Sequence, residues 1–140
     1  MTHFEIPKVP SPQVRAVLHY LDQIKVLNLH EIEKHFTDDF IQSTRPLSLE
    51  IPSRSKEEGL AFLQGLANQL GGRPLEARQI TIYDIIESPG KVWVHLLTHG
   101  EPQEGKPFDI ECIYQFIIAE NYKFKALIDF VDSTALASMG

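Results

Sequence analysis

With a single cysteine, Cys112, in 140 residues, the chain cannot form an internal disulfide, which fits a reducing compartment. No run of about 18 apolar residues is present, so nothing in the sequence is built to span a membrane. Met1–Pro12 is rich in proline and lacks the apolar core of a secretory signal. These absences together lead us to expect a cytoplasmic location. Basic residues are scattered with no Lys/Arg cluster, and the formal net charge is −6. Nucleic acid is therefore a poor match as a partner. Internal repeats and low-complexity blocks are missing as well.

What is present suits one globular unit. Apolar residues make up 43% of the chain, and a domain of this size buries roughly 65–70% of the surface its unfolded chain exposes. Residues 1–11 read as an extended arm and 12–140 as a single domain. Ser11 is an N-cap residue with Pro12 at the first helical position. Val14, Val17, Leu18, Leu21, Ile24 and Leu27 then recur at helical spacing. A short second helix is expected over Leu29–Phe36, closed by Thr37-Asp38-Asp39. Phe40–Ile51 reads as a strand bent by Pro46. Ser55 and Glu58 form a capping box for a third helix, which Gly71-Gly72 ends. Four strands follow, at Leu75–Glu87, Lys91–Glu101, Phe108–Ala119 and Phe124–Asp132, and a helical tail begins at Ser133. Short turns between the strands imply an antiparallel sheet, and helices segregated in sequence imply that they cover one of its faces. The fold class is α+β: a curved sheet wrapped around N-terminal helices, a cone-shaped barrel with an internal pocket.

Three stretches carry a family likeness. Leu29–Phe40, with its Phe36-Thr37-Asp38-Asp39 turn, is one. Thr98-His99-Gly100-Glu101 followed by Gly105-Lys106-Pro107-Phe108 is the second, and Lys123-Phe124-Lys125 leading to Phe130-Val131-Asp132-Ser133 the third. In order and spacing the chain resembles a SnoaL-like domain of the nuclear transport factor 2-like superfamily, a group named for a polyketide cyclase. The resemblance implies a pocket for a small apolar ligand, a homodimer formed through the sheet, and cofactor-free isomerase, cyclase or lyase chemistry in secondary metabolism. It does not fix the reaction, because this fold hosts many.

The positions used by relatives narrow the choice. The tyrosine of ketosteroid isomerases falls on Tyr20, their catalytic carboxylate on Thr44 beside Arg45, and their second acid on Cys112. Steroid isomerisation by two carboxyl groups is thus disfavoured. Val92-Trp93-Val94-His95-Leu96 lacks the Arg-x-Asp pair of limonene epoxide hydrolases. The acid of SnoaL-like cyclases matches Asp132, with Asp129 as the other candidate. Strand alternation puts Ala126, Ile128, Phe130 and Asp132 on one face, the one that aligns with the pocket in relatives. Simple pairing across the Gln103–Lys106 turn then places Trp93, His95, Leu97 and His99 on the pocket side, opposite Val92, Val94 and Leu96. A one-residue slip would invert that assignment.

The expected catalytic groups are His95 and Asp132, exchanging protons, and Tyr20, donating to a developing oxyanion. Trp93, Tyr114, Phe130, Arg45, Phe62, Leu97 and Cys112 are expected to bind substrate. Each residue also has a plain structural reading: Asp132 as the N-cap of the tail, His95 as a hydrogen-bonded core histidine, and Arg45 as a surface salt-bridge partner. His95 and His99 lack a third ligand for a metal. The alternative to an enzyme is a non-catalytic ligand carrier or association module of the same fold, with Val92, Val94, Leu96 and Ile113 as the contact face.

Overall fold

Local signals start and stop the helices much as the sequence suggests. In the computed structural model, which describes residues 9–70, 78–101 and 106–139, α1 spans Pro12–Val26. The Ser11 hydroxyl accepts a hydrogen bond from the Val14 N–H at 3.2 Å, capping it. Leu27 closes α1 in the left-handed conformation, φ 53°. Asn28 caps α2, Leu29–Glu33. This helix is shorter than expected, because Phe36-Thr37-Asp38-Asp39 does not end a helix but opens strand β1, Phe36–Arg45. Phe36 and Phe40 both face the core from that strand, their rings stacked at 3.9 Å. The bend at Pro46 leads into a short 3-10 turn, Leu47–Leu49. A two-residue strand β2, Arg54–Ser55, follows.

The capping box of α3, Lys56–Leu70, is reciprocal. The Ser55 N–H donates to Glu58 Oε1 at 3.0 Å, and the Glu58 N–H donates to Ser55 Oγ at 3.2 Å. The expected stop at Gly71-Gly72, the turn at 102–105 and residues 1–8 of the arm lie outside the described residues. Strands β3 (Arg78–Ser88), β4 (Lys91–Gly100), β5 (Phe108–Ile118) and β6 (Phe124–Val131) follow, then helix α4, Ser133–Met139. Gly90, with φ 78°, makes the tight β3–β4 turn. Gln13 ties that turn to the start of α1, its side chain bonding Glu87, Ser88 and Gly90.

The six strands form one open sheet in the order β2-β1-β6-β5-β4-β3. The α+β arrangement is the expected one, but the sheet is mixed: β1 runs parallel to β6, while every other pair is antiparallel. Val14, Val17, Tyr20, Leu21 and Ile24 of α1 pack with Val92, Val94, Leu96, Phe116 and Phe124 of the sheet into one buried cluster. No helix among the described residues is long and apolar enough to cross a membrane.

Two facing expectations are inverted. On β4 the register pairs Cys112 with Leu96, Tyr114 with Val94 and Phe116 with Val92, one residue from the pairing read across the turn. Val92, Val94 and Leu96 are fully buried under the helices, and Trp93, His95, Leu97 and His99 point to the outer face. The physical reason is desolvation: three aliphatic side chains leave water at a gain, whereas two imidazoles on the same face would each cost free energy. On β6 the cause is a register shift. Phe124 pairs with Ile118, but Ala126 pairs with Ile117, so alternation breaks between them. Phe124 faces inward, and beyond the shift Leu127, Asp129 and Val131 take the inner face, while Phe130 and Asp132 turn out.

This assignment predicts an asymmetry between neighbours on β4. Leu96→Ala should cost about 2–5 kcal/mol, and Leu97→Ala no more than about 1.5 kcal/mol, read from urea unfolding followed by far-UV circular dichroism.

Candidate active site

Helices α1 and α3 do not fill the hollow of the sheet. A cavity of about 320 Å³ remains, at the small end of the roughly 300–1,000 Å³ range of small-molecule clefts. Its walls come from α1 (Tyr20, Ile24), β1 (Phe36, Phe40, Gln42, Thr44), α3 (Phe62, Leu63, Leu66), β5 (Ile110, Cys112, Tyr114) and β6 (Leu127, Asp129, Val131). Most of that lining is hydrocarbon. The polar groups converge where β1, β6 and β5 adjoin, because Asp129 is the ladder partner of both Thr44 and Tyr114.

Asp129 is the acid of this cavity. One of its carboxyl oxygens, Oδ1, is buried with no hydrogen-bond partner among the described residues. Burial pushes its pKa up to about 7, against the smaller opposing pull of the Arg54 guanidinium. Arg54 enters from β2, where it pairs with Gln42. Its Nη1 donates to Gln42 Oε1 at 3.0 Å, and its guanidinium lies over the Phe62 ring, 4.0 Å from the centroid. Gln42 in turn donates to Thr44 Oγ1 at 3.3 Å. The Cys112 thiol is pushed far up, first by burial and then by Asp129, which disfavours the thiolate that nucleophilic attack requires.

The residues singled out from sequence divide cleanly. Tyr20, Phe62, Cys112 and Tyr114 line the cavity. His95, Trp93 and Leu97 lie on the opposite face of the sheet, where the His95 ring bonds Glu111 and His99 bonds Asp109 at 2.8 Å. Asp132 is exposed and caps α4, its Oδ1 accepting from the N–H groups of Thr134 and Ala135 at 3.0 and 3.2 Å. Phe130 is 40% exposed on the outer face. Arg45, its ladder partner, donates to the backbone carbonyl of Thr44. Arg54, Gln42 and Thr98 were not singled out, although all three border the cavity. The alternation of Phe40, Gln42 and Thr44 along β1 was the available signal for Gln42. Among the described residues no group of three or more His, Cys, Asp or Glu side chains is arranged to hold a metal ion.

The architecture defines the class. BvnE pinacolase from Penicillium brevicompactum superimposes with a TM-score of 0.81 at 16% identity, over 96% of this chain and 92% of that one. A Shewanella putrefaciens CN-32 protein described as a SnoaL-like polyketide cyclase gives 0.77 at 12% identity, over 99% and 96%. The chain thus shares its fold with proteins described as SnoaL-like and NTF2-like. In sequence it is similar to a protein named monooxygenase AgnL5 from Paecilomyces divaricatus, 29% identical over 138 residues, covering 94% of this chain and 82% of that protein. No family profile matches the chain.

The pKa of Asp129 makes a stability prediction. With a folded value of about 7 against an ordinary 3.8, the native state holds a proton that the unfolded chain releases, so the group lowers stability as pH rises from about 4 to 7. At about 1.4 kcal/mol per pKa unit, ionising it in place costs on the order of 4 kcal/mol. His35 works the other way: burial, then His19, lowers its pKa from 6.5 to about 4, so its contribution is lost as pH falls through that range. The two slopes oppose each other, and the clean observable is a difference. Asp129→Asn should gain stability relative to the parent at pH 8 and not at pH 4, measured by urea unfolding at both.

Proposed function

We propose that the protein is an acid–base enzyme acting on a small apolar carbonyl compound, polyketide- or terpenoid-like, by isomerisation, cyclisation or dehydration. The observation that carries this reading is the Asp129 carboxyl: buried, unpartnered at Oδ1, and bordering an apolar cavity with a pKa near neutral. Such a group exchanges protons with carbon acids at physiological pH. In this reading Asp129 takes the role the sequence suggested for Asp132 and His95. Its ionised form removes a proton α to the substrate carbonyl. Tyr20 and Arg54 stabilise the resulting enolate oxygen. The protonated acid then returns the proton at a second carbon, which isomerises the substrate. Alternatively, the enolate carbon attacks a second carbonyl within the substrate, closing a ring, and the new alkoxide takes the proton. Loss of water from that alcohol completes a dehydration.

The name of the sequence relative favours a second reading. The same carbanion is captured by dioxygen, so that a ring CH₂ and O₂ become C=O and H₂O. One assay separates the two. Deuterium uptake from D₂O into 2-tetralone, followed by proton NMR with dissolved oxygen recorded alongside, should be accelerated by the protein. The rate should climb as pH rises through about 7, and Asp129→Asn should slow it about 10²–10⁴-fold. Full exchange in that variant overturns the acid–base reading; oxygen consumption matched to ketone formation selects the second one.

The reading extends to a homodimer through the outer sheet face. Trp93, Ile113 and Phe130 are each 40% exposed there, and Ile113 and Phe130 are cross-strand partners. Another copy of this chain is the occupant proposed for that apolar surface. Light scattering should give a dimer for the parent and a monomer for Ile113→Glu, with the circular dichroism spectrum unchanged.

A further inference from the structure

We propose that Arg54 determines the specificity of the cavity, and that the molecule it selects carries an anionic oxygen on an apolar ring skeleton: a carboxylate, phenolate or enolate. The proposal rests on reading this cavity as the substrate site. Arg54 is the one cation among the described residues of its wall. Its position is fixed on two sides, by the Phe62 ring beneath the guanidinium and by Gln42, which Thr44 holds in turn. Neither contact neutralises it. A guanidinium has five N–H donors, and Gln42 takes one. Among the described residues no carboxylate forms an ion pair with Arg54; the pairs present are Glu31 with Lys34, Asp38 with Lys56, Glu111 with His95 and Asp109 with His99.

Two acids feel the charge of Arg54 through space. Glu58 is solvent-exposed and engaged with Ser55. Asp129 shares the cavity and keeps its proton below about pH 7. The cavity therefore presents a cation without a resident counter-ion, oriented and set in apolar surroundings. A planar fork stacked on an aromatic ring favours a planar oxyanion over a point charge, and the apolar walls favour ring carbon behind it. The same arrangement lets Arg54 hold an enolate as it forms, which links selection to the chemistry proposed above. It also couples the two groups: an anion seated by Arg54 is opposed by Asp129 once that carboxyl ionises.

The test is calorimetric and independent of turnover. 2-Naphthoate and the near-isosteric neutral ketone 2-acetylnaphthalene are titrated into the full-length protein at pH 6 and pH 8. We expect the naphthoate to bind about 10–100-fold tighter at pH 6, with the margin shrinking at pH 8 and persisting there in Asp129→Asn. Arg54→Gln should remove the preference, and Arg54→Lys, which keeps the charge without the fork, should keep part of it. Equal affinities in the parent, no saturable naphthoate binding, or a preference that survives Arg54→Gln would overturn the proposal. Full deuterium exchange in Asp129→Asn alongside an intact anion preference would remove the catalytic reading and leave this one standing.

Discussion

A carboxyl group set in a wall of hydrocarbon is the constraint from which the rest of this molecule follows. Water would hold the Asp129 charge at little cost, but burial in the sheet's inner face takes most of that solvation away, and the carboxyl holds its proton to about pH 7. The nearby cation does not undo this, because Arg54 pulls the pKa down by less than burial raises it. Had the two formed an ion pair, the acid would be ionised throughout the neutral range. Their separation keeps Asp129 titratable and leaves the guanidinium unneutralised.

The fold supplies that separation. Asp129 sits on β6, in the middle of the sheet, where β1 and β5 flank it with Thr44 and Tyr114. Arg54 sits on β2, the sheet edge, two strands away in the order β2-β1-β6. The parallel pairing of β1 with β6 brings the edge with Arg54 and α3 beside the last strand. Gln42 spans the gap from β1, holding the arginine with its carbonyl oxygen and Thr44 with its amide. The capping box at Ser55 and Glu58 starts α3 immediately after Arg54, which puts Phe62 under the guanidinium. A motif that looks purely structural in sequence thus helps set the site.

Much of the architecture was legible because it rests on local chemistry. Ser11-Pro12 and the Ser55/Glu58 box each satisfy backbone groups within a few residues, so each can be read in place. The cavity wall was half legible. Tyr20, Phe62, Cys112 and Tyr114 lie on elements whose inward face is continuous. The misplaced residues all lie beyond a feature that local pattern does not carry. On β6 the face taken as the pocket side by alignment with relatives, that of Phe130 and Asp132, is the outer one: after the register shift next to Phe124, Leu127, Asp129 and Val131 face in. On β4 a one-residue difference in pairing turned Trp93, His95, Leu97 and His99 outward. Composition alone argued against burying that set, since it carries two imidazoles while Val92, Val94 and Leu96 on the other face are aliphatic. Arg54 was overlooked because its importance comes from strand pairing with Gln42, a contact absent from any local window.

The same register that empties the cavity of histidine gives the outer face its own character. His95 and His99 each find a carboxylate, Glu111 and Asp109, on the neighbouring strand. Trp93, Ile113 and Phe130 lie on that same surface. The two outer imidazoles thus have carboxylate partners, while among the described residues the Arg54 guanidinium inside has none. An outer surface whose imidazoles are already matched gains little from an additional ion, and its exposed apolar side chains are what remains to be covered. The cavity is the reverse: its apolar surface is already buried and its charge is what remains unmatched. Side chains of the two faces alternate along each strand, so the proposed dimer surface and the proposed substrate cavity use different residues of one sheet.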